Sequence, residues 1–219
     1  MIRELPRFFL SAMAILCFAS LASAQSIELK PNQNFVVIQQ QPLQDASKIE
    51  VIDFFWYGCP YCYELLPQFN EWLKTKPDDV VVRRIPAVLR ESWLAQAHMY
   101  YTLDVLGEAD KFHDRVFDAH HKERLISNIP EQVAEWALKN GLDKDKWQEA
   151  YHSKEVQTRV IRAVEMSRAY AVSGTPAIVV DGRFMSTSGM SGGVKSLVPV
   201  MEALINVARE RRTKAGTPQ

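Results

Sequence analysis

The sequence predicts an α/β protein whose sheet is interrupted by a long all-helical segment. Three observations carry this. A β-branched and aromatic run at 50–56, a helical pattern and a second apolar run at 80–85 make a βαβ unit. About 80 residues, 91–171, then read as helix almost throughout, which is too long for a crossover. Short apolar runs on either side of Asp181-Gly182 read as a hairpin, so the sheet resumes before a closing helix.

The first residues read as an export signal. Arg3 and Arg7 mark a charged start, residues 8–22 carry no charge, and Ala22-Ser23-Ala24 offers the small residues that a signal peptidase reads. The apolar stretch is shorter than the roughly 20 residues of a spanning helix, so an uncleaved anchor is the weaker alternative. Residues 1–24 are therefore expected to be a signal peptide, cleaved after Ala24. Cys17 leaves with it; Leu16 before it is too bulky for lipoprotein processing.

In the remaining chain, Phe35-Val36-Val37-Ile38 predicts a short strand and Glu50-Val51-Ile52-Asp53-Phe54-Phe55-Trp56 a buried one. Cys59-Pro60-Tyr61-Cys62 then opens a helix. Pro60 fits its first position, where a missing N–H is harmless. Leu65, Leu66, Phe69 and Leu73 follow at helical spacing, and Pro77-Asp78-Asp79 stops the element before Val80-Val81-Val82 leads the next strand. Within 91–171, Trp93, Ala97, Tyr100, Tyr101 and Leu103 predict one helix, and Phe112, Val116 and Phe117 a second. Asn128-Ile129-Pro130 starts a third that Asn140-Gly141 closes, and Asp143 and Ser153 are the expected N-caps of two more. Ser191-Gly192-Gly193 precedes the closing helix. Ser196 is its expected N-cap, because that places Pro199 in the first turn. The charged tail after Arg209 is expected to fray.

Composition narrows the function. The chain has 219 residues, 47% hydrophobic and 24% charged, enough to bury a core. Lys+Arg and Asp+Glu both number 26, a balance that removes the electrostatic case for a nucleic-acid or polybasic membrane-surface protein. Export leaves two cysteines, Cys59 and Cys62, in a compartment where disulfides persist. The loop between them is too short to restrict the unfolded chain much, so a structural disulfide explains the pair poorly. A closed zinc site needs four N or S ligands, and there is no second Cys pair. His98, His113, His120, His121 and His152 are scattered through charge-rich helical sequence and read as solvated or half-buried side chains. No metal and no cofactor is expected. Redox chemistry is the reading that survives.

The run Phe54-Phe55-Trp56-Tyr57-Gly58-Cys59-Pro60-Tyr61-Cys62, the helical block, and Gly174-Thr175-Pro176-Ala177 before the Asp-Gly hairpin together resemble the DsbA-type periplasmic thiol:disulfide oxidoreductases. The likeness spans nearly all of the mature chain. It implies a thioredoxin fold with an inserted all-helical domain: residues 25–90 and 172–219 form the thioredoxin-like domain and residues 91–171 the insertion. It implies a redox-active disulfide between Cys59 and Cys62, with Pro60 and Tyr61 between them in the catalytic motif. Thr175 and Pro176 then bind substrate through a cis-proline loop, whose exposed backbone pairs with a peptide as an added strand. Asp53 stands six residues before Cys59, where thioredoxin-like families often place a buried acid that relays protons to the second cysteine; a strand-end surface carboxylate is the alternative. Arg83 or Arg84 is its expected partner.

The implied partners are reduced unfolded polypeptides and a DsbB-type quinone-linked membrane reoxidase, with no nucleic acid, and the protein is expected to act as a monomer in the periplasm. At a helix N-terminus, free N–H groups and the dipole stabilise an anion. Cys59, expected to be the more exposed thiol, should therefore have a lowered pKa, and Cys62, one turn inside, a raised one. The family's usual motif is Cys-Pro-His-Cys; Tyr61 stands in the histidine's place and predicts a weaker oxidant. Cys-Pro-Tyr-Cys also resembles glutaredoxins, which are shorter and lack the inserted helices. The expected function is a dithiol oxidase that introduces disulfide bonds into exported polypeptides. The alternatives are a thiol reductase or isomerase using the same site, or a non-catalytic peptide- or metal-binding module.

Overall fold

The computed structural model describes residues 27–125 and 129–216. The export segment, its cleavage point, Cys17 and Asn128 lie outside the described residues. Five strands, β1 (Val36–Val37), β2 (Ile49–Phe55), β3 (Val80–Pro86), β4 (Ala177–Val180) and β5 (Phe184–Thr187), form one sheet in the order β1-β5-β4-β2-β3. β2 and β3 are parallel; every other pair is antiparallel. Helix α1 (Pro60–Thr75) joins β2 to β3, completing the βαβ unit. Between β3 and β4 come a single 3-10 turn (Glu91–Trp93) and helices α2 (Leu94–Val105), α3 (Ala109–His121), α4 (Pro130–Lys139), α5 (Lys144–Tyr151) and α6 (Lys154–Ala169). Helix α7 (Val194–Gly216) follows the hairpin.

All seven residues of β2 are buried, Glu50 and Asp53 among them, because both of its faces are covered. Val51 packs with Leu65, Phe69 and Trp72 of α1 and Leu197, Met201 and Leu204 of α7. Ile52 and Phe54 face the other way, toward Ala163 of α6 and Tyr170. The period of two therefore puts Asp53 on the α1 side, between Val51 and Phe55. Asp181, Gly182 and Arg183 connect β4 to β5; Asp181 and Gly182 both have positive φ, 55° and 62°, and the N–H of Arg183 closes the turn on the carbonyl of Val180 at 3.1 Å. Asp143 Oδ1 accepts from the N–H of Lys146 at 2.9 Å and Ser153 Oγ from that of Val156 at 3.1 Å, so both expected N-caps are in place.

The closing helix departs from expectation at both ends. It begins at Val194, so Ser196 is not its N-cap and Pro199 lies beyond the first turn. Proline there leaves the carbonyl of Lys195 without its intrahelical donor. Gln68 of α1 supplies one instead, its Nε2 donating to that carbonyl at 3.1 Å. Within the described residues the expected fraying after Arg209 is not seen: α7 stays helical to Gly216. Arg209 grips the Asp79 carboxylate at 2.8 and 3.0 Å, and Arg212 donates to Asp181 and to the carbonyls of Ala46 and Lys48. None of the described helices is long and apolar enough to cross a membrane.

Candidate active site

The end of β2 delivers the two cysteines. Trp56 leaves the strand and stacks on Trp93, ring centroids 4.1 Å apart and nearly parallel. Its indole then lies against Gly58, where an added Cβ would come within 2.3 Å of the ring, so only glycine lets the turn close. The N–H of Gly58 donates to Gln96 Oε1 of α2 at 3.2 Å. Cys59 follows in extended conformation as the N-cap of α1, with Pro60 at the first helical position. Its sulfur accepts from the N–H of Cys62 at 3.3 Å and lies 3.1 Å from the carbonyl of Thr175, to which the thiol donates. The Thr175-Pro176 bond is cis. Both thiols are free.

Contrary to expectation, Cys59 is hardly more exposed than Cys62: 5% against 4%. Thr175 lies over its sulfur. The asymmetry lies in hydrogen bonding and depth. Cys59 is pulled down to about 6, mainly by hydrogen bonding with the Cys62 thiol, which together with the side chain of Thr175 and the N–H groups of Cys62 and Tyr61 outweighs burial. Cys62 is pushed up, first by burial, then by its hydrogen bond to Cys59 and the negative charges of Cys59 and Asp53. Tyr61 turns its ring to solvent, 57% exposed.

Asp53 is 6% exposed, which rules out the surface alternative. Burial raises its pKa to about 6, against the opposing charge of Arg84 and with a further push from Cys59. Neither expected arginine bonds it. Arg83 Nη1 goes to Glu50 Oε1 at 3.0 Å. Arg84 stands opposite Asp53 in the β2–β3 register, yet its Nη1 reaches Asp110 Oδ1 at 3.0 Å, so it acts on Asp53 through charge alone. Strand register puts Arg84, not Arg83, opposite Asp53, but it does not say which carboxylate the guanidinium bonds.

The site also holds residues that the sequence reading missed. His113, expected to be solvated or half-buried, is 1% exposed. It packs edge-on against Phe55 at 4.8 Å, and its Nδ1 lies 3.3 Å from the Tyr57 hydroxyl. Burial pulls its pKa well down. The signal was present: His113 lies three and four residues before Val116 and Phe117, on the apolar stripe of α3. His121 Nε2 meets the carbonyl of Tyr57 at 2.9 Å and its ring stacks on Tyr63. Asp53, Cys62, His113, Leu66 and Phe117 all line one small cavity of about 10 Å³. A far larger groove, about 1590 Å³, runs along β3 past Tyr101, Arg159 and Lys74 and touches neither thiol.

What this arrangement can do is exchange disulfides: a thiol at a helix N-cap with its pKa lowered, a partner thiol one turn inside with its pKa raised, and a buried carboxyl able to serve that partner. A family profile described as a DSBA-like thioredoxin domain matches residues 50–198. The "Thiol:disulfide interchange protein DsbA" of Azotobacter vinelandii is 35% identical over 196 residues, covering 88% of this chain and 92% of that protein. The protein of the same name from Pseudomonas aeruginosa PAO1 is 32% identical over 204 residues, covering 92% and 97%. A crystal structure of Pseudomonas aeruginosa DsbA superposes with a TM-score of 0.79 at 32% identity, over 83% of this chain and 95% of that one.

Proposed function

This chain belongs to the DSBA-like thioredoxin domain family, and from that premise we propose that it oxidises dithiols of reduced exported polypeptides through Cys59 and Cys62. It is a thiol:disulfide oxidoreductase. The observation that carries the direction of the reaction is the place of Cys59 at the N-cap of α1, its sulfur accepting from the N–H of Cys62 at 3.3 Å, an arrangement that lowers the Cys59 pKa while burial pushes Cys62 up. Stabilising the Cys59 thiolate stabilises the reduced enzyme, and that makes its disulfide form an oxidant.

In the oxidised enzyme a substrate thiolate attacks the Cys59 sulfur. The substrate–Cys59 bond forms as the Cys59–Cys62 bond breaks, and Cys62 leaves as a thiolate that takes a proton. A second substrate thiolate then attacks the substrate's own sulfur, closing the product disulfide and expelling Cys59, which leaves readily because its thiolate is stable. Two electrons pass from substrate to enzyme. Asp53 is the proton donor to Cys62 in the first step and its acceptor when the disulfide is restored. An extended substrate segment pairs with the backbone of Thr175 beside Pro176. Pro60 opens the helix where no N–H is needed, and Tyr61 shapes the surface that partners meet.

The reading includes export to the periplasm with cleavage after Ala24, action as a monomer, and re-oxidation by a quinone-linked membrane protein of the DsbB type. It also divides the chain into a thioredoxin-like domain, 25–90 with 172–219, and a helical insertion, 91–171. Catalysed oxidative refolding of a reduced disulfide protein tests the function: wild type accelerates it, and Cys59→Ser abolishes the acceleration. Full rate in the variant sinks the mechanism. A reduction potential near that of thioredoxin, about −270 mV, would assign the chain to reductases instead. Stoichiometric zinc or copper in freshly purified reduced protein would favour a metal-binding module.

A further inference from the structure

Two buried polar atoms at the foot of α1 have no partner, Asp53 Oδ1 and His113 Nε2. Their residues are 6% and 1% exposed, and both line the small cavity that also touches Cys62. An unpaired buried polar atom is costly, and native structures rarely leave two in one place. The cavity measures about 10 Å³, about what a single water centre needs. Its other walls are Phe55, Leu65, Leu66, Phe69 and Phe117, which offer a water nothing to bond.

The two orphans are complementary. With the Tyr57 hydroxyl donating to His113 Nδ1, the hydrogen of the neutral ring falls on Nε2, making it a donor. Ionised Asp53 is an acceptor only. A water between them accepts from Nε2, donates to Oδ1, and keeps its second hydrogen for the Cys62 sulfur.

We propose that this cavity holds one ordered water bonded to Asp53 Oδ1 and His113 Nε2, and that His113 is a positioning residue holding it between the carboxyl and Cys62. The inference rests on the reading of Cys62 as the thiolate released in the first exchange step. When Cys62 leaves, the water gives its proton to that sulfur and takes one from the Asp53 carboxyl. The S–H bond forms as the carboxyl O–H breaks, and the carboxylate left behind accepts from the same water. His113 exchanges no proton. Its N–H fixes the water's orientation and favours the carboxylate. The other groups facing Asp53 are Arg84 across β3, Cys59 on α1 and, from β4, apolar Ile178. Those facing His113 are Arg84, Tyr57 and, from α2, Tyr100.

The test is the titration of Asp53 in the reduced protein, followed by the NMR signal of its carboxyl carbon. Losing a donor to the charged form raises the midpoint in His113→Phe by about one pH unit, about tenfold in the protonation equilibrium. His113→Gln, whose amide keeps an N–H, brings the midpoint back toward wild type, which a purely packing role would not do. The acid limb of the pH–rate profile for reduction by a substrate dithiol moves with it. An Asp53 midpoint unchanged in His113→Phe overturns the proposal. Should that variant not fold, wild type decides the matter: long-lived water contacts to the His113 ring protons support the site, and a folded spectrum without them overturns it. The titration needs no turnover. Failure here in an active oxidase sinks the water site alone, while a wild type that does not oxidise dithiols sinks the reading of the thiols.

Discussion

Tyr61 turns its ring to solvent and contributes its backbone N–H to Cys59. A histidine there would add a positive charge or a hydrogen-bond donor beside the thiolate; tyrosine is neutral and offers only a hydroxyl. Tyr61→His is therefore expected to lower the Cys59 pKa and raise the reduction potential by about 20 mV, if the added interaction is about 1 kcal/mol. Thiolate absorbance against pH and equilibration with glutathione read both, and no change in either would show that the helix-terminal N–H groups dominate. The pKa shifts also make stability depend on pH. Cys59 falls from 9.0 to about 6, so its contribution to the stability of the reduced protein is full above pH 9 and lost as pH falls through 6. Asp53 rises from 3.8 to about 6, so its contribution is full below pH 4 and lost as pH rises through 6. The disulfide form has no Cys59 thiolate. Denaturant unfolding of both forms between pH 6 and 9 should thus show the reduced protein gaining on the oxidised one; parallel curves would contradict the lowered Cys59 pKa. Much of this site was legible in the sequence: Cys59, Cys62, Asp53 and Thr175-Pro176 all converge on the end of β2. His113 was not, because a histidine's burial depends on what packs over it, here Phe55 and Tyr57 from β2 and its exit.

At the scale of elements, what the sequence made readable was whatever is settled within a few residues. The caps at Asp143 and Ser153, the Asp181-Gly182 turn and the Pro60 helix start each rest on local geometry. The start of α7 was misread because its compensation comes from another helix. Pro199 is tolerated inside α7 while Gln68 supplies the missing donor to Lys195. Gln68→Ala should cost about 0.5–1 kcal/mol in the wild-type background. In Pro199→Ala, where residue 199 has its own N–H, the same change should be close to neutral. A coupling of about that size in a double-mutant cycle by urea unfolding is the expected result, and additivity would refute the exchange of donors.

Across the whole molecule, the closing helix is tied back to earlier parts of the chain by its arginines. Arg212 spans from α7 to Asp181 at the hairpin and to the carbonyls of Ala46 and Lys48 that lead into β2. Asp181 is only 3% exposed, and without Arg212 its carboxylate keeps only Arg211, 3.8 Å away, so Arg212→Ala should cost about 2 kcal/mol in urea unfolding. A loss within error would mean that the tail contributes no more than an exposed ion pair. The fold also has an order in time. Cys59 and Thr175 touch across 116 positions of chain, and β2 acquires β4 only after the helices between have been made. Synthesis therefore produces the dithiol early and its covering loop late. A nascent chain that ends before residue 175 carries two cysteines at the start of a helix with no wall over them. Such a chain lacks the Thr175 contact on the Cys59 sulfur. The finished site waits for the last quarter of the polypeptide, so the protein acquires its complete exchange centre only when its sheet is complete.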